Sequence, residues 1–294
     1  MAYSVSIPNV NRDDRIGSVF NDLFSVIHDT RNCGALWDFG NTSFLHPCFV
    51  APLSIYKDVC NYDISCIGLG NNIRDYFNAI HFESIYDASE LRDKEELKSY
   101  IGKSYIPISK FLIENNDIDK IQEVLQGVIQ SQRGIFESMR APISHLLSEL
   151  VGNIAEHSCS KYGYLYCQRV RRHLYIVIAD SGKTVYNSYI DTDKYVDKVC
   201  HDEAKALKMA NDGYSTKDLP GAESRGFGLS KSREMVVNGL GGGFFMLSGT
   251  AFYRHDDKGI NVVNIPDSFR WNGTIILVKI PTYAPYDFEF YEFV

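Results

Sequence analysis

The sequence predicts an α/β protein in two parts, a smaller one followed by a larger one. Two patterns carry this. Over residues 30–85, short apolar runs of strand character alternate with segments of helical spacing, as in βαβ units with parallel pairing. A mostly helical stretch, 117–158, then leads into two adjacent strand patterns, 162–170 and 173–180, that read as a hairpin. The composition agrees: 294 residues, 45% hydrophobic and 23% charged, are globular averages. The natural boundary falls between residues 100 and 117, giving a first part of 1–115 and a second of 116–294.

Each element has its own signal. Ile16, Val19, Phe20, Leu23, Phe24 and Ile27 recur at helical spacing across 13–29. A short apolar strand at 35–39 runs into Gly40-Asn41-Thr42, which is turn chemistry. A helix at 48–62, a strand at 63–69 and a helix at 73–82, capped by Asn71, complete this part. Residues 83–115 are polar, most densely at 87–96. Ile118, Ile121, Val124, Leu125, Val128 and Ile129 form one helical stripe. Pro142 is expected to break the helical stretch, with a second helix over 143–157. Residues 180–225 are long and polar. A glycine-opened helix at 225–240 and strands at 244–248, 251–254 and 274–280 follow, then an aromatic tail from Tyr283.

Several classes are excluded or disfavoured. The net charge of −7, from 30 Lys+Arg against 37 Asp+Glu, argues against a broad nucleic-acid footprint, and the short basic run 169–172 reads as a solvated turn. No apolar run approaches the roughly 18 residues that span a bilayer, and no signal peptide is read. Seven cysteines without a C-x-x-C pair suggest neither a closed disulfide set nor a structural zinc site. Reduced thiols fit a cytoplasmic location.

Four short elements of the second part carry chemistry. Glu149 and Asn153 stand four apart on one helix face; an Asn oxygen suits Mg²⁺, and a carboxylate can orient or deprotonate a water or hydroxyl. The apolar strand 175–179 ends in Asp180-Ser181-Gly182, where Asp can accept from an amino group and Gly lets a flat ligand approach the backbone. Arg225-Gly226-Phe227-Gly228-Leu229 opens a helix, whose N-terminal N–H groups favour anions. Gly273-Thr274 enters the last long strand. Taken one at a time, each reads first as an ordinary helix face, turn or loop.

In this order and spacing, residues 117–283 resemble the GHKL superfamily of ATP-binding domains (gyrase, Hsp90, histidine kinases, MutL). The resemblance implies a two-layer α/β sandwich, a mixed sheet with helices on one face, with ATP and Mg²⁺ as its ligands. It implies that Asn153 binds the metal and Glu149 is the catalytic base. Asp180 would meet the adenine amino group, with Gly182 beside the ring and Thr274 supporting Asp180. Gly226, Phe227, Gly228 and Leu229 would wrap the phosphates, and Arg225 would reach the terminal phosphate or lie in solvent. The lid would span about 183–225. Two departures stand out: Thr184 replaces the second glycine of Asp-x-Gly-x-Gly, and Glu156 stands where histidine kinases often have Lys.

A histidine kinase is disfavoured, because Glu137 occupies the place of the phosphoacceptor His, and His145 and His157 lie on the Glu149/Asn153 helix. The spacing of Glu149 and Asn153 is that of GHKL ATPases and of anti-sigma-factor serine kinases. The first part faintly resembles a STAS-type domain at 30–85, without a Ser near His46-Pro47-Cys48 to accept phosphate. The expectation is therefore a cytoplasmic, Mg²⁺-dependent ATP-binding regulator and slow ATPase acting on a protein partner. The alternatives are a protein serine/threonine kinase and an ATP-binding module without turnover. A homodimer is allowed; nucleic acid and membrane are not expected partners.

Overall fold

The structure, a computed structural model, describes residues 3–10, 16–31, 34–89, 94–113, 118–132, 134–193, 195–216 and 227–294. It is mixed α/β, with two sheets. In the first part β1 (Tyr3–Ser6), β2 (Ala35–Asp38) and β3 (Ile64–Ile67) form a three-stranded parallel sheet in that order. Helices α1 (Ile16–Thr30) and α2 (Pro47–Val59) supply the crossovers, and α3 (Asn71–Ile80) follows. The apolar stripe of α1 is buried along Val19, Phe20, Leu23, Phe24 and Ile27. Its last residue, Thr30, accepts from the indole Nε1 of buried Trp37 at 2.8 Å, fixing helix to sheet. The N-cap of α2 is His46, whose Nδ1 accepts from the Cys48 N–H at 3.2 Å. Burial, then Lys279, pulls that imidazole down to about 4, so a neutral ring is available to accept. Asn71 is not a cap: Gly70 holds that position, and Asn71 is the first helical residue.

The second sheet has eight strands. They are β4 (Tyr86–Asp87), β5 (Ser109–Leu112), β6 (Tyr162–Val170), β7 (His173–Asp180), β8 (Gly243–Gly249), β9 (Ala251–Asp256), β10 (Gly259–Asn264) and β11 (Trp271–Pro281). Their order is β10-β9-β8-β11-β7-β6-β5-β4, antiparallel throughout except for the β4–β5 pair. The chain therefore enters this sheet at Tyr86, well ahead of residue 116. Between β4 and β6 lie α4 (Lys94–Lys98), α5 (Ile118–Gln130) and α6 (Arg140–His157).

Both faces of the large sheet are covered. On one, Leu125 and Ile129 of α5 and Ile143, Leu147, Leu150 and Ile154 of α6 pack with Ile176, Ile178, Ile276 and Val278. On the other, Phe20, Phe24 and residues of α2 pack with Tyr175, Val177, Phe245, Phe252 and Leu277. Phe20 meets the rings of Phe252 and Phe245 at 4.8 and 6.4 Å. Polar ties reinforce this contact: Tyr164 donates to Asp58 at 2.9 Å, and Tyr76 donates to Gln168 at 2.9 Å.

Three expectations change. Pro142 does not break the helix, because it lies in the first turn of α6, where a missing N–H costs nothing. The polar stretch after Asp180 contains three short helices, α7 (Val185–Asp191), α8 (Val196–Val199) and α9 (Glu203–Asn211). Strand β10 was not expected; as a mostly exposed edge it has no regular apolar alternation to announce it. Helix α10 (Phe227–Glu234) passes into a π-helical turn, Met235–Gly239. The aromatic tail folds back, with Phe288 and Phe293 stacked at 5.9 Å and packed against the core on the α5/α6 face.

Candidate functional site

One cavity of about 480 Å³ opens at the end of the large sheet, within the range of small-molecule sites. Its walls come from four separated segments. Helix α6 contributes Glu149 and Asn153, β7 contributes Asp180, α10 contributes Gly228 and Leu229, and β11 contributes Thr274. Helices α7 and α9 and the segment after α9 complete the rim, with Tyr189, Ala210 and Tyr214 among the lining residues. Residues up to 125 apart in the chain are thus brought together because β7 and β11 are paired neighbours and α6 lies across them.

Asp180 sits at the end of β7, only 2% exposed. Its Oδ1 accepts from the Gly182 N–H at 2.8 Å, and the Thr274 N–H also donates to the carboxyl group. Burial nevertheless dominates and pushes the carboxyl up to about 7, against the pull of those two donors. Gly182 follows where the chain passes close to the end of α6; a Cβ there would collide with the Ser158 carbonyl oxygen. Thr274 lies opposite Ser248 in the β8–β11 ladder. The Ser248 hydroxyl is within 3.1 Å of Thr274 Oγ1, donates to the Gly273 carbonyl at 2.9 Å and accepts from the Val185 N–H at 2.9 Å. Ser248 therefore ties β8, β11 and the start of α7 into one wall. No local pattern announces it, since an isolated Ser in a buried strand looks like any other.

Thr184, the departure from the family's glycine, is the N-cap of α7, and its hydroxyl accepts from the Asn187 N–H at 3.2 Å. A capping residue starts a helix where a second glycine would favour an open loop. Lys183 lines the cavity and is paired with Asp191 at 2.7 Å. Helix α9 is fastened to the sheet rather than loose: Glu203 accepts from the Thr250 hydroxyl at 2.8 Å and from Arg270 at 2.7 Å. The first half of the expected lid is therefore a packed helical wall.

On the opposite wall, Glu149 and Asn153 both face the cavity from successive turns of α6. The Glu149 carboxylate lies against Gly228, where a Cβ would collide with Oε2. The middle of α6 and the start of α10 can approach this closely only because residue 228 lacks a side chain. The Asn153 Nδ2 is buried without a hydrogen-bond partner, a costly state for a polar group unless a ligand completes it. Of the expected site residues, Arg225 and Gly226 lie outside the described residues, and only the backbone of Phe227 is described, as the first residue of α10.

Among the described residues no group of three or more His, Cys, Asp or Glu gathers in a way that could hold a metal ion. None of their helices is long and apolar enough to cross a membrane. Compared with known proteins, the chain matches no family model, and no curated protein matches it significantly.

Proposed function

We propose that the chain is a Mg²⁺-dependent ATP-binding regulator of the GHKL type, with slow hydrolysis and a protein partner, and that the cavity at the end of the large sheet holds the nucleotide. The observation that carries this reading is the convergence of Glu149, Asn153, Asp180, Gly228 and Thr274 on one cavity. In this reading the eight-stranded sheet with α5 and α6 is the nucleotide-binding sandwich. The first part is a STAS-like unit that covers its other face.

The chemistry of the donors supports the assignment. Buried Asp180 offers an acceptor for the adenine amino group, and Gly182 leaves the ring edge open to the backbone. Asn153 lines the cavity, and its carboxamide oxygen is a hard donor of the kind Mg²⁺ takes, while its buried, unpartnered Nδ2 calls for an acceptor such as a phosphate oxygen. With no acidic cluster beside it among the described residues, the metal would be shared with water and phosphate oxygens, where it would neutralise phosphate charge. Glu149, one helical turn away, accepts a proton from the attacking water or from a partner's hydroxyl. The first turn of α10 turns its N–H groups toward the phosphates.

Calorimetric titration of ATP with and without Mg²⁺, with phosphate release followed on the same sample, tests this. Mg²⁺-dependent binding with slow release is expected. Binding without release, together with label transfer to an added protein, would favour the serine/threonine kinase instead. Absence of binding in both conditions would refute the nucleotide reading.

A further inference from the structure

Helix α10 places Gly228 against Glu149, yet its own grip on the sheet is weak. Of its described side chains the buried ones are polar: Ser230, Ser232 and Arg233, while Leu229 is half-buried. Arg233 donates from Nη1 to the Tyr253 hydroxyl at 2.6 Å, but its Nε and the Ser232 hydroxyl are buried without a partner. Buried polar atoms left unpaired oppose docking. The buried apolar anchors come only afterwards, Met235 and Val236 in the π-helical turn Met235–Gly239. Turns of this kind are rare and occur mostly at functional sites.

That turn ends under the C-terminal tail. The stacked rings of Phe288 and Phe293 rest on Gly239, where a Cβ would collide with both. Phe290 lies edge to face on His145 at 6.0 Å, and His145 stands one turn before Glu149 on α6. The tail thus touches both of the helical runs that bring Glu149 and Gly228 together. Its own attachment is slight. At its root the Ala284 N–H donates to the Ser138 hydroxyl at 3.2 Å. Beyond that its backbone bonds, Phe288 to Pro285, Glu292 to Glu289 and Phe293 to Phe290, close within the tail. The three phenylalanine rings are half-buried, and Tyr286, Tyr291 and Val294 are exposed. Segments held by few buried contacts open far more readily than the whole protein unfolds.

We propose that residues 284–294 are a releasable strap. Docked on Gly239 and His145, they hold α10 against α6 and keep the cavity wall at Glu149 and Gly228 closed; undocked, they let α10 shift and ligand affinity fall. The His145 Nε2 is buried without a hydrogen-bond partner, so water reaching it once Phe290 lifts would favour release. The effect on ATP affinity rests on the nucleotide reading of the cavity, whereas the movement of α10 does not.

Hydrogen exchange of the nucleotide-free wild type, compared with a chain ending at Tyr283 and with Gly239→Ala, tests the movement. Both altered chains should exchange about tenfold faster or more in α10 and the middle of α6, with β7 unchanged. Tyr286→Ser, in the tail but facing water, should exchange as wild type does. Unchanged exchange of α10 in both altered chains would overturn the proposal. So would an equal rise in β7, which would make the tail a part of the general core. Calorimetry with ATP and Mg²⁺ tests the coupling. Kd should rise about tenfold in both altered chains, and by reciprocity saturating ATP and Mg²⁺ should slow exchange of the wild-type tail amides by a comparable factor. Wild-type binding with an unchanged Kd in both altered chains would overturn the coupling. Absence of binding in the wild type would instead refute the nucleotide reading, and the exchange comparison would still decide the strap.

Discussion

Asp180→Asn in the nucleotide-free protein separates the buried carboxylate from everything else around it. The ordinary carboxyl value is near 3.8, and in the folded protein burial holds Asp180 up to about 7. Below the unfolded value both states carry the proton, and the full stability is present. As pH rises toward 7, the unfolded chain ionises while the folded protein keeps its proton, so stability is lost at up to about 1.4 kcal/mol per pH unit. Above 7 both states are ionised and the loss levels off. Between pH 5 and 8 this amounts to about 2–3 kcal/mol. Urea denaturation across that range should show the wild type losing this much relative to Asp180→Asn, which has no proton to exchange. Comparing slopes rather than absolute stabilities removes the local cost of the amide. Parallel curves for the two proteins would refute the argument that burial dominates the two N–H donors. The same carboxyl gives a binding signature. An adenine amino group donates to the ionised form, so ATP should release a proton from the protein at pH 6. Affinity should rise about tenfold from pH 6 to 8 relative to the variant, measurable by calorimetry in buffers of different ionisation enthalpy.

Other positions give simpler readouts. Asn153→Ala should abolish the Mg²⁺-dependent part of ATP affinity, a loss of at least about tenfold; calorimetry showing retained Mg²⁺ dependence would remove Asn153 from the site. Gly182→Ala should cost about 1–3 kcal/mol in urea denaturation through the clash with the Ser158 carbonyl. Gly127→Ala, on the exposed side of α5 with open space where a Cβ would stand, should instead stabilise by about 0.5–1 kcal/mol. Phe20→Ala should cost about 3–5 kcal/mol, because its ring is buried between the first part and the large sheet. A change below 1 kcal/mol would mean that this contact is not a packed core.

The candidate site was more legible in the sequence than the fold around it. Glu149 and Asn153 share a helix face by spacing alone, and Asp180 ends an apolar strand, so both positions follow from period. Gly228 is legible as a helix opener, but its contact with Glu149 is not, since that depends on how α10 docks across α6. Ser248 was invisible for the same reason. Its role is a matter of three backbone segments meeting, and no local pattern encodes a tertiary meeting. Thr184 shows a signal that was read only halfway. As a missing glycine it announced a changed loop, and as a Thr three residues before Asn187 it also fits an N-cap, which is what it forms.

The covered second face of the large sheet had a signal as well. A sheet with helices on one face and water on the other should alternate apolar and polar residues along each strand. Tyr175-Ile176-Val177-Ile178-Ala179 does not alternate, and every one of these residues is buried. The run is apolar because its odd positions face α1 and α2 while its even positions face α5 and α6. In β10, which only partly lies under a helix, Asn261 and Asn264 interrupt the apolar residues. Continuous apolarity in β7 and its absence in β10 therefore mark where the first part sits on the sheet. That position fixes the consequence for a variant that detaches the first part. Tyr175, Val177, Phe245 and Leu277 would be uncovered together, on the same strands whose ends line the cavity, so loss of the first part should expose the back of the site's own scaffold rather than release an independent unit.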